Sequence, residues 1–210
     1  MPDDPDLELL ARWREGDRRA GQQLVARYFD QIRGFFINSV SDEEREDLVQ
    51  DTFRRLVGAK DRFEGRSSFR TFLFRIAHNT LVDFYRKRGR GKFDFDPMLH
   101  SVADLDGVSP SHLVTAVERH QQLLACVRAL PLETKQLLEL YYWHDFTAAQ
   151  IAETMGINER TLRSRLVAAR KRLIKALAEQ AEGGGQAGGE EPELDSALRE
   201  LGQFFSSGQT

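Results

Sequence analysis

The chain has 210 residues, of which 40% are hydrophobic and 30% charged, with a net charge of −3 and one cysteine. This composition indicates a soluble globular protein of one or two domains, and without an apolar run of about 20 residues we expect no bilayer-spanning segment. The single cysteine, Cys126, excludes an internal disulfide and a cysteine-based zinc site, and the acidic N-terminus lacks a signal peptide, which favours the cytoplasm.

Two helices are predicted at residues 7–15 and 19–40, separated near Gly16 and Asp17. In the second, apolar side chains recur at helical spacing and predict a face buried in a core. The residues of this face are Leu24, Val25, Tyr28, Ile32, Phe35 and Phe36.

A third helix is predicted from Ser41 to Val57, because Ser41 followed by Glu44 fits a capping box. Residues 41–51 carry six acids and one base. One interpretation is that these acids stabilise the helix, since its dipole favours negative charge in the first turns. The other is an acidic face that binds a basic partner protein.

The fourth predicted helix runs from Phe69 to Arg88, after a loop at residues 61–68 in which a serine can cap it. Residues 66–92 carry eight bases and one acid, and arginines lie between the aromatic residues of the helix. Most of these rings belong to a core, but rings beside cations also stack on unpaired bases while the cations hold phosphates. One or two exposed rings are therefore candidates for binding a flipped base.

The helical pattern stops from Gly89 to Ser111, which predicts a linker of about twenty residues between a larger N-terminal and a smaller C-terminal helical domain. Helix is expected again from Ser111 or soon after, with Cys126 buried on its apolar side, and Pro131 begins the next helix. No segment of the sequence shows the alternation that is typical of a β-strand.

Residues 147–175 predict two short helices joined by a tight turn, as in a helix-turn-helix. Thr147 with Gln150 fits a capping box at the start of the first helix. Gly156 suits the left-handed position that ends this helix, and Asn158 suits the N-cap of the next. The second helix has an apolar stripe and a basic remainder, which fits the DNA major groove. RNA, an acidic protein, or simply a solvated basic surface are the alternatives.

After Leu177 the chain continues into an acidic, Gly-rich linker and a short amphipathic segment that ends near Phe205. From Glu179 onward the sequence has seven acids and one base. Leucines at helical spacing in the amphipathic segment predict that this tail docks on the chain itself or on a partner. A solvated extension without a role is the alternative.

Motifs at 47–57, 63–88 and 130–173 together resemble the extracytoplasmic-function (ECF) sigma factors of bacterial RNA polymerase. The resemblance covers roughly Asp17 to Leu177, and the order and spacing of its parts make it specific. It implies an all-α fold with two helical domains joined by a flexible linker. The expected limits are 1–90 for the region 2 domain, 91–112 for the linker, 113–178 for the region 4 domain and 179–210 for a C-terminal extension.

The resemblance also implies roles for individual residues. The segment that binds the clamp helices of the polymerase's largest subunit corresponds to Asp47, Leu48, Gln50, Asp51 and Phe53. The loop and helix that recognise and melt the −10 promoter element correspond to Arg66, Ser67, Ser68, Phe72, Arg75, Asn79, Asp83, Arg86 and Arg88. The recognition helix for the −35 element corresponds to Arg160, Thr161, Arg163, Ser164 and Arg165, with Arg170 and Arg172 as phosphate contacts. Phe72 stands where most members have Trp, which implies weaker stacking.

The implied function is that of an alternative sigma factor, which binds core RNA polymerase and promoter DNA and stabilises strand opening. It involves no catalysis, cofactor, metal or small-molecule substrate. Members of the family are commonly held inactive by a membrane-linked anti-sigma factor, so such a partner is left open. The sequence departs from the family pattern after Leu177, and we hypothesise that the tail, residues 182–210, modulates activity in cis.

Parts of the sequence are also compatible with two other functions. A helix-turn-helix regulator that works without polymerase would bind a palindromic operator as a dimer, but it has no use for the acidic helix or the aromatic-basic helix. An enzyme acting on nucleic acid could hold Mg²⁺ between Asp47 and Asp51. The sequence offers no third ligand, Gly-rich phosphate loop or metal-binding histidine spacing, so we expect no enzyme.

Overall fold

The computed structural model describes residues 4–88, 116–181 and 191–206, and the regular elements in these ranges are all helical. They are α1 (Pro5–Arg14), α2 (Arg18–Phe36), α3 (Asp42–Ala59), a short 3-10 turn (Lys60–Arg62), α4 (Phe69–Lys87), α5 (Ala116–Ala129), α6 (Leu132–Tyr142), α7 (Ala148–Met155), α8 (Glu159–Ala181) and α9 (Glu191–Ser206). The predicted all-α fold is confirmed. The interdomain linker at 91–112, the helix start near Ser111 and the Gly-rich linker before α9 lie outside the described residues.

The chain divides into two compact units. The first comprises Met1–Gly91 and Ala149–Ile157, and the second comprises Lys92–Ala148 and Asn158–Thr210. Helix α7 is thus grouped with the first unit. The domain limits expected from the sequence keep α7 with the C-terminal helices, and they stay a prediction.

The core of the first unit forms where the apolar faces of α1 to α4 meet. Ten large side chains in it are at most 1% exposed: Leu10, Leu24, Ile32, Phe35, Phe36, Leu56, Phe69, Leu73, Phe74 and Leu81. Phe35 and Phe74 join α2 to α4 edge to face, with 5.6 Å between their ring centroids. The apolar face predicted for α2 is buried except at Val25, which is partly exposed.

Side-chain caps fix where the helices of the first unit begin. Asp17 accepts a hydrogen bond from the backbone N–H of Arg19 at 2.9 Å, directly after Gly16 has turned the chain with a φ of +103°. The predicted capping box is confirmed, because the backbone N–H of Ser41 donates to Glu44 at 3.0 Å and the serine caps α3. These bonds satisfy amide groups that a helix start otherwise leaves unpaired.

The second unit packs α5, α6, α8 and α9 around a separate core. Nine of its core side chains are at most 3% exposed: Leu123, Val127, Leu137, Leu138, Leu140, Leu162, Ala169, Leu173 and Leu198. Cys126 lies in this core, and burial raises the pKa of its thiol to about 11. The thiol therefore stays protonated at neutral pH, which supports the predicted packing role. Among the described residues, no helix combines the length and the hydrophobicity that a bilayer crossing needs.

Gly156 offers a test of the turn between α7 and α8. Its φ is +67°, and an added Cβ would meet nothing within 4 Å, so Gly156→Ala introduces backbone strain alone. We expect a loss of about 1–2 kcal/mol of stability, seen as a lower melting temperature by circular dichroism. Gly34→Ala is the control, since Gly34 is equally open but helical, and it should stabilise by about 0.5–1 kcal/mol. Equal melting temperatures for the two variants would refute this account.

Candidate partner-binding and nucleic-acid-binding surfaces

Helix α3 presents part of its predicted partner-binding segment to solvent. Asp47 and Gln50 are exposed, and their spacing places them on one face of the helix. Leu48, by contrast, is 5% exposed and belongs to the core, so its contribution is to hold α3 in position. The available surface is therefore smaller than the five residues expected from the sequence.

An aromatic pair extends this surface. Phe53 on α3 stacks on Phe29 of α2, with ring centroids 6.2 Å apart and an interplanar angle of 11°. Phe29 is 39% exposed, which is unusual for so large an apolar side chain. The sequence analysis missed Phe29, because it lies outside the apolar face of α2 and only its neighbour Tyr28 follows the helical period.

Arg55 links α3 to α4 through two carboxylates. It donates to Asp51 on its own helix at 2.9 Å and to Asp83 on α4 at 2.8 Å. Asp51 also pairs with Arg54. Partial burial raises the pKa of Asp51, but the bonds from Arg54 and Arg55 outweigh it and leave that pKa below its ordinary value. Two residues with separate expected roles, Asp51 and Asp83, thus share one cation.

The loop before α4 is ordered by its own side chains. Ser68 caps α4 by accepting a hydrogen bond from the backbone N–H of Thr71 at 3.1 Å. Gly65 has a φ of +71°, and the neighbouring Arg66 is exposed and pairs with Glu64 at 2.6 Å. Ser67 is partly exposed. The loop therefore offers one arginine and one hydroxyl to a ligand, while the second hydroxyl is occupied by the cap.

Phe72 lies beneath this loop and faces the interior. It is 7% exposed and packs against Phe63, with ring centroids 4.8 Å apart. The guanidinium of Arg75 lies 5.8 Å from the centre of the Phe72 ring. Phe72 is thus engaged within the protein and almost fully buried, so the described conformation presents little of its ring to a base.

The rest of α4 carries a mixture of free and paired polar groups. Asn79 is exposed, Arg86 pairs with Asp83 at 3.1 Å, and Arg88 pairs with Glu44 of α3. Arg88 also lies 4.6 Å from the centre of the Phe84 ring. Beside Asn79, an open groove of about 300 Å³ is lined by Arg55, Gly58, Ala59, Arg62, Ile76 and Asn79. Of its two guanidinium groups, that of Arg55 is held by Asp51 and Asp83, so Arg62 and the amide of Asn79 are the polar groups that it offers to a ligand.

Helix α8 follows a turn whose parts were predicted. Gly156 is left-handed, and Asn158 caps α8 by accepting a hydrogen bond from the backbone N–H of Thr161 at 2.7 Å. Leu162, Leu166, Ala169 and Leu173 form the predicted apolar stripe, and all four are buried. The stripe fixes the rotation of α8 about its axis and so decides which residues face solvent.

The basic residues of α8 differ in how available they are. Arg160, Arg163 and Ser164 are exposed, and in the part of the chain that the structure describes Arg163 pairs with Glu159 one turn earlier, at 3.0 Å. Thr161 and Arg172 are partly exposed. Arg165 is held by Glu133 of α6 at 2.9 Å. The most accessible guanidinium groups therefore lie in the first two turns of the helix.

Arg170 occupies a different environment. Its Nε donates to the hydroxyl of Tyr142 at 2.6 Å and lies 3.3 Å from a carboxylate oxygen of Asp195 on α9. The hydroxyl of Tyr142 itself donates to Asp195. Burial, followed by the bond to Asp195, raises the pKa of Tyr142 well above its ordinary value, so the phenol stays protonated as a donor. Sequence reasoning missed Tyr142 and Asp195, since neither lies in the recognition motif.

Asp47 and Asp51, the carboxylates of the alternative Mg²⁺ pair, both lie on α3. In the ranges that the structure describes, no three His, Cys, Asp or Glu residues come together in a way that could hold a metal ion. Asp51 of that pair is engaged with Arg54 and Arg55 instead.

Two family models match the chain. The model described as Sigma-70 region 2 matches residues 24–91, and the model described as Sigma-70, region 4 matches residues 120–173. The first match contains α3, α4 and the loop between them, and the second contains the turn and the basic start of α8. Helix α9 lies beyond both.

Two similar proteins align with this chain over almost their whole length. The RNA polymerase sigma-H factor of Pseudomonas aeruginosa is 30% identical over 187 residues, which are 84% of this chain and 96% of that protein. The ECF RNA polymerase sigma-E factor of Haemophilus influenzae is 28% identical over 175 residues, 80% of this chain and 93% of that protein.

Two solved structures also match this chain over most of its length. CnrH, in complex with the cytosolic domain of CnrY, matches with a TM-score of 0.60 and 25% identity, over 84% of this chain and 99% of that one. The sigma factor RpoE from Bartonella quintana, in complex with the anti-sigma factor NepR, matches with a TM-score of 0.56 and 27% identity, over 75% of this chain and 96% of that one.

The bridging role of Arg55 can be tested through pH. Arg55→Met keeps the aliphatic stem and removes the cation between α3 and α4, and we expect a loss of about 0.5–1 kcal/mol at pH 7. Because the folded-state pKa of Asp51 is lowered, its pairing stabilises the fold above pH about 4 and is lost as pH falls. The difference from the wild type in urea unfolding should therefore shrink between pH 7 and pH 3.

Arg54→Met is the matched control for this experiment. Arg54 also pairs with Asp51, but its side chain is 81% exposed and the described contacts give it no bond to α4. We expect a smaller loss of stability than for Arg55→Met. An equal loss at pH 7 would show that the bridge to Asp83 contributes nothing.

Proposed function

Because this chain belongs to the ECF sigma factors of bacterial RNA polymerase, we propose that it binds core polymerase and directs initiation at promoters through the surfaces described above. The observation that carries the assignment of DNA contacts is the start of α8. There, an Asn-capped helix presents Arg160, Arg163 and Ser164 to solvent immediately after a left-handed turn. Arginine side chains in this position reach guanine edges and phosphates in the major groove.

We assign recognition of the −35 element to the first turns of α8. Arg163 is bonded only weakly within the protein, since its side chain is 72% exposed and pairs with Glu159 on the same helix. An exposed pair of this kind contributes about 0–1 kcal/mol, so DNA can replace the carboxylate at little cost. Arg165 has a partner on another helix and contributes less readily to sequence recognition.

We assign polymerase binding to the exposed part of α3 together with the aromatic pair. Asp47 and Gln50 supply polar contacts for the clamp helices of the largest subunit, and Phe53 with Phe29 supplies apolar area beside them. An apolar centre with a polar rim is the usual composition of a protein interface. Leu48 supports this surface from beneath.

Contacts with the −10 element are assigned to the loop at residues 64–68 and to α4. Arg66 and Asn79 are exposed, and Arg62 lines the groove beside Asn79. We propose that this polar surface holds the separated strand by its phosphates and base edges. Phe72, which packs on Phe63, stabilises the loop from below and is not the stacking surface in the described conformation.

In this mechanism, the free energy of binding to polymerase and to DNA directs initiation. No covalent bond is made or broken by this protein, and it is not an enzyme. Two modest DNA-binding surfaces become effective because the polymerase holds both near one promoter, which raises their effective concentration. Without polymerase, DNA affinity should be weak and should fall steeply with salt. Its place of action is the cytoplasm, where polymerase and promoter DNA occur together.

Run-off transcription with purified core polymerase on a promoter library tests the function directly. The expected result is initiation at a set of sites that share −10 and −35 elements and are not used by core enzyme alone. The competing regulator that works without polymerase predicts DNA binding but no initiation and no copurification with core enzyme. The acidic surface of α3 counts against that alternative.

Arg163→Ala tests the assignment to α8. It should reduce initiation at selected promoters by about 10- to 100-fold, since one good arginine–base pair discriminates by about 1–3 kcal/mol. Core polymerase binding, measured by co-elution, should be unchanged. Lys175→Ala is the control on the same helix, because Lys175 is exposed and lies ten residues after Arg165, beyond the residues predicted to read the −35 bases. Loss of polymerase binding in Arg163→Ala would overturn the division of roles.

Asp47→Lys tests the assignment to α3. Reversing this exposed charge should weaken co-elution with core polymerase by at least about tenfold, since opposed like charges at an interface cost several kcal/mol. Glu8→Lys makes the same change of charge at an exposed position on α1 and should leave binding intact. If both variants bind core polymerase like the wild type, the acidic face has another purpose.

A further inference from the structure

Helix α9 is docked on the second unit through a continuous apolar face. Leu194, Leu198 and Leu201 are at most 5% exposed, at the spacing of one helical face. Within the unit, α9 packs mainly against α5 and α6. The structure therefore contains a tail that is docked on the chain itself, as one of the sequence predictions had it. The alternative, a solvated extension without contacts, does not hold for the described part of the tail.

The position of α9 is specified by more than hydrophobic contact. The indole N–H of Trp143 donates to the backbone carbonyl of Leu198 at 2.9 Å, and the indole is buried. Gly202 lies against the same ring, since an added Cβ would come within 2.5 Å of it. At the helix periphery, His120 lies 3.3 Å from Glu200. A defined register of this kind places each side chain of α9 at a fixed location.

That register brings Asp195 to Arg170 of α8. Asp195 accepts a hydrogen bond from Tyr142 and pairs with Arg170 at 3.3 Å, while Tyr142 also accepts from Arg170 at 2.6 Å. The three groups form a closed cluster, hereafter the Arg170 cluster. The Arg170 side chain is only 19% exposed within it, against 72% for Arg163.

Arg170 would otherwise belong to the DNA-facing side of α8. It follows Arg163 by seven residues, so the two lie almost on one line along the helix, about 10 Å apart. Phosphates that neighbour a base contact of Arg163 would therefore come within reach of a freed Arg170. In the Arg170 cluster, a carboxylate occupies the place that such a phosphate would take.

We propose that α9 is an internal competitor of DNA, in which Asp195 occupies Arg170 and lowers the affinity of the second unit for duplex. The proposal rests on the proposed function, since it takes α8 as the DNA-binding helix. Residues 191–206 carry four acids and one base, so the docked helix also adds negative charge beside α8. Neither family model extends to α9, so the competition involves a part of the chain outside both family matches.

Asp195→Asn tests the competition with little change of shape. The full-length chain is titrated into a fluorescent 30-base-pair duplex of random sequence, because phosphate contacts need no particular sequence. We expect binding to tighten about three- to tenfold near 0.1 M salt, as one phosphate contact is gained. The slope of log affinity against log salt should steepen by about 0.9 for the same reason.

Glu193→Gln is the matched control. Glu193 lies on the same helix, loses the same charge on substitution and is exposed, and the described contacts give it no bond to Arg170. It measures the general effect of removing one negative charge, which should raise affinity slightly and leave the salt slope unchanged. Only the difference between the two variants reports on the Arg170 cluster.

Gly202→Val displaces α9 by a route that leaves all charges in place. Its side chain would overlap the Trp143 ring, and displacement should expose the indole and shift its emission to longer wavelength in a Trp13→Phe background. We expect DNA binding at least as tight as that of Asp195→Asn. Combining both substitutions should give no further gain, since each frees the same arginine.

The outcomes separate this proposal from the proposed function. If Asp195→Asn and Glu193→Gln bind duplex equally, or if Gly202→Val shifts the Trp143 emission without tightening binding, α9 is only a structural helix. The role as a sigma factor is then unaffected. If the wild-type chain fails to initiate transcription with core polymerase and no variant shows salt-dependent DNA binding, the proposed function itself fails.

Discussion

Arginine–carboxylate pairing is the interaction on which this structure and its proposed activity both depend. The chain has slightly more acids than bases, and several arginines assigned to DNA, among them Arg163 and Arg170, pair with a carboxylate of their own protein that they must leave to meet DNA. The free-energy cost of breaking such an ion pair depends on how deeply the pair is buried. Arg163 pairs with Glu159 in solvent, where such a pair contributes about 0–1 kcal/mol and yields easily to a phosphate. Arg170 is enclosed by Tyr142 and Asp195, where separation leaves partly desolvated groups without partners and costs more. Accessibility therefore ranks the basic residues of α8 in a way that their sequence positions do not.

The same interaction ties the helices of the first unit together. Arg55 spans α3 and α4 between Asp51 and Asp83, and Arg88 near the end of α4 pairs with Glu44 at the start of α3. The two helices carry the surfaces assigned to polymerase and to melted DNA, so these pairs fix one surface relative to the other. Their energy is modest because the groups remain partly exposed, and the buried aromatic residues supply most of the stability. The ion pairs thus set geometry more than they set stability.

Local signals in the sequence predicted the fold well, and tertiary packing decided what they missed. The capping box at Ser41, the left-handed Gly156 and the Asn158 cap each depend on a few neighbouring residues, so each was visible in the sequence and is present in the structure. Leu48 and Phe72 carried roles by resemblance, but their exposure depends on which neighbours cover them. Phe63, which packs on Phe72, lies in a loop without periodicity, so the burial of Phe72 by this residue could not be predicted from the sequence. The amphipathic pattern of the tail predicted that it docks. The surface on which it docks could not be predicted, because Tyr142 and Trp143 follow the pattern of ordinary core residues.

Covalent attachment explains how a single carboxylate can matter for regulation. A helix held in the same chain competes at an effective concentration of the order of millimolar, so even a weak pairing stays largely formed in the free protein. Promoter DNA on the polymerase is presented at a comparable effective concentration, and both competitors then act on Arg170 within one assembly. Under such balanced conditions a change of about 1.4 kcal/mol shifts the ratio of the two states tenfold. An interaction the size of one partly buried ion pair is therefore sufficient to set the response of the sigma factor to its promoters, and a partner that bound the apolar face of α9 would release it.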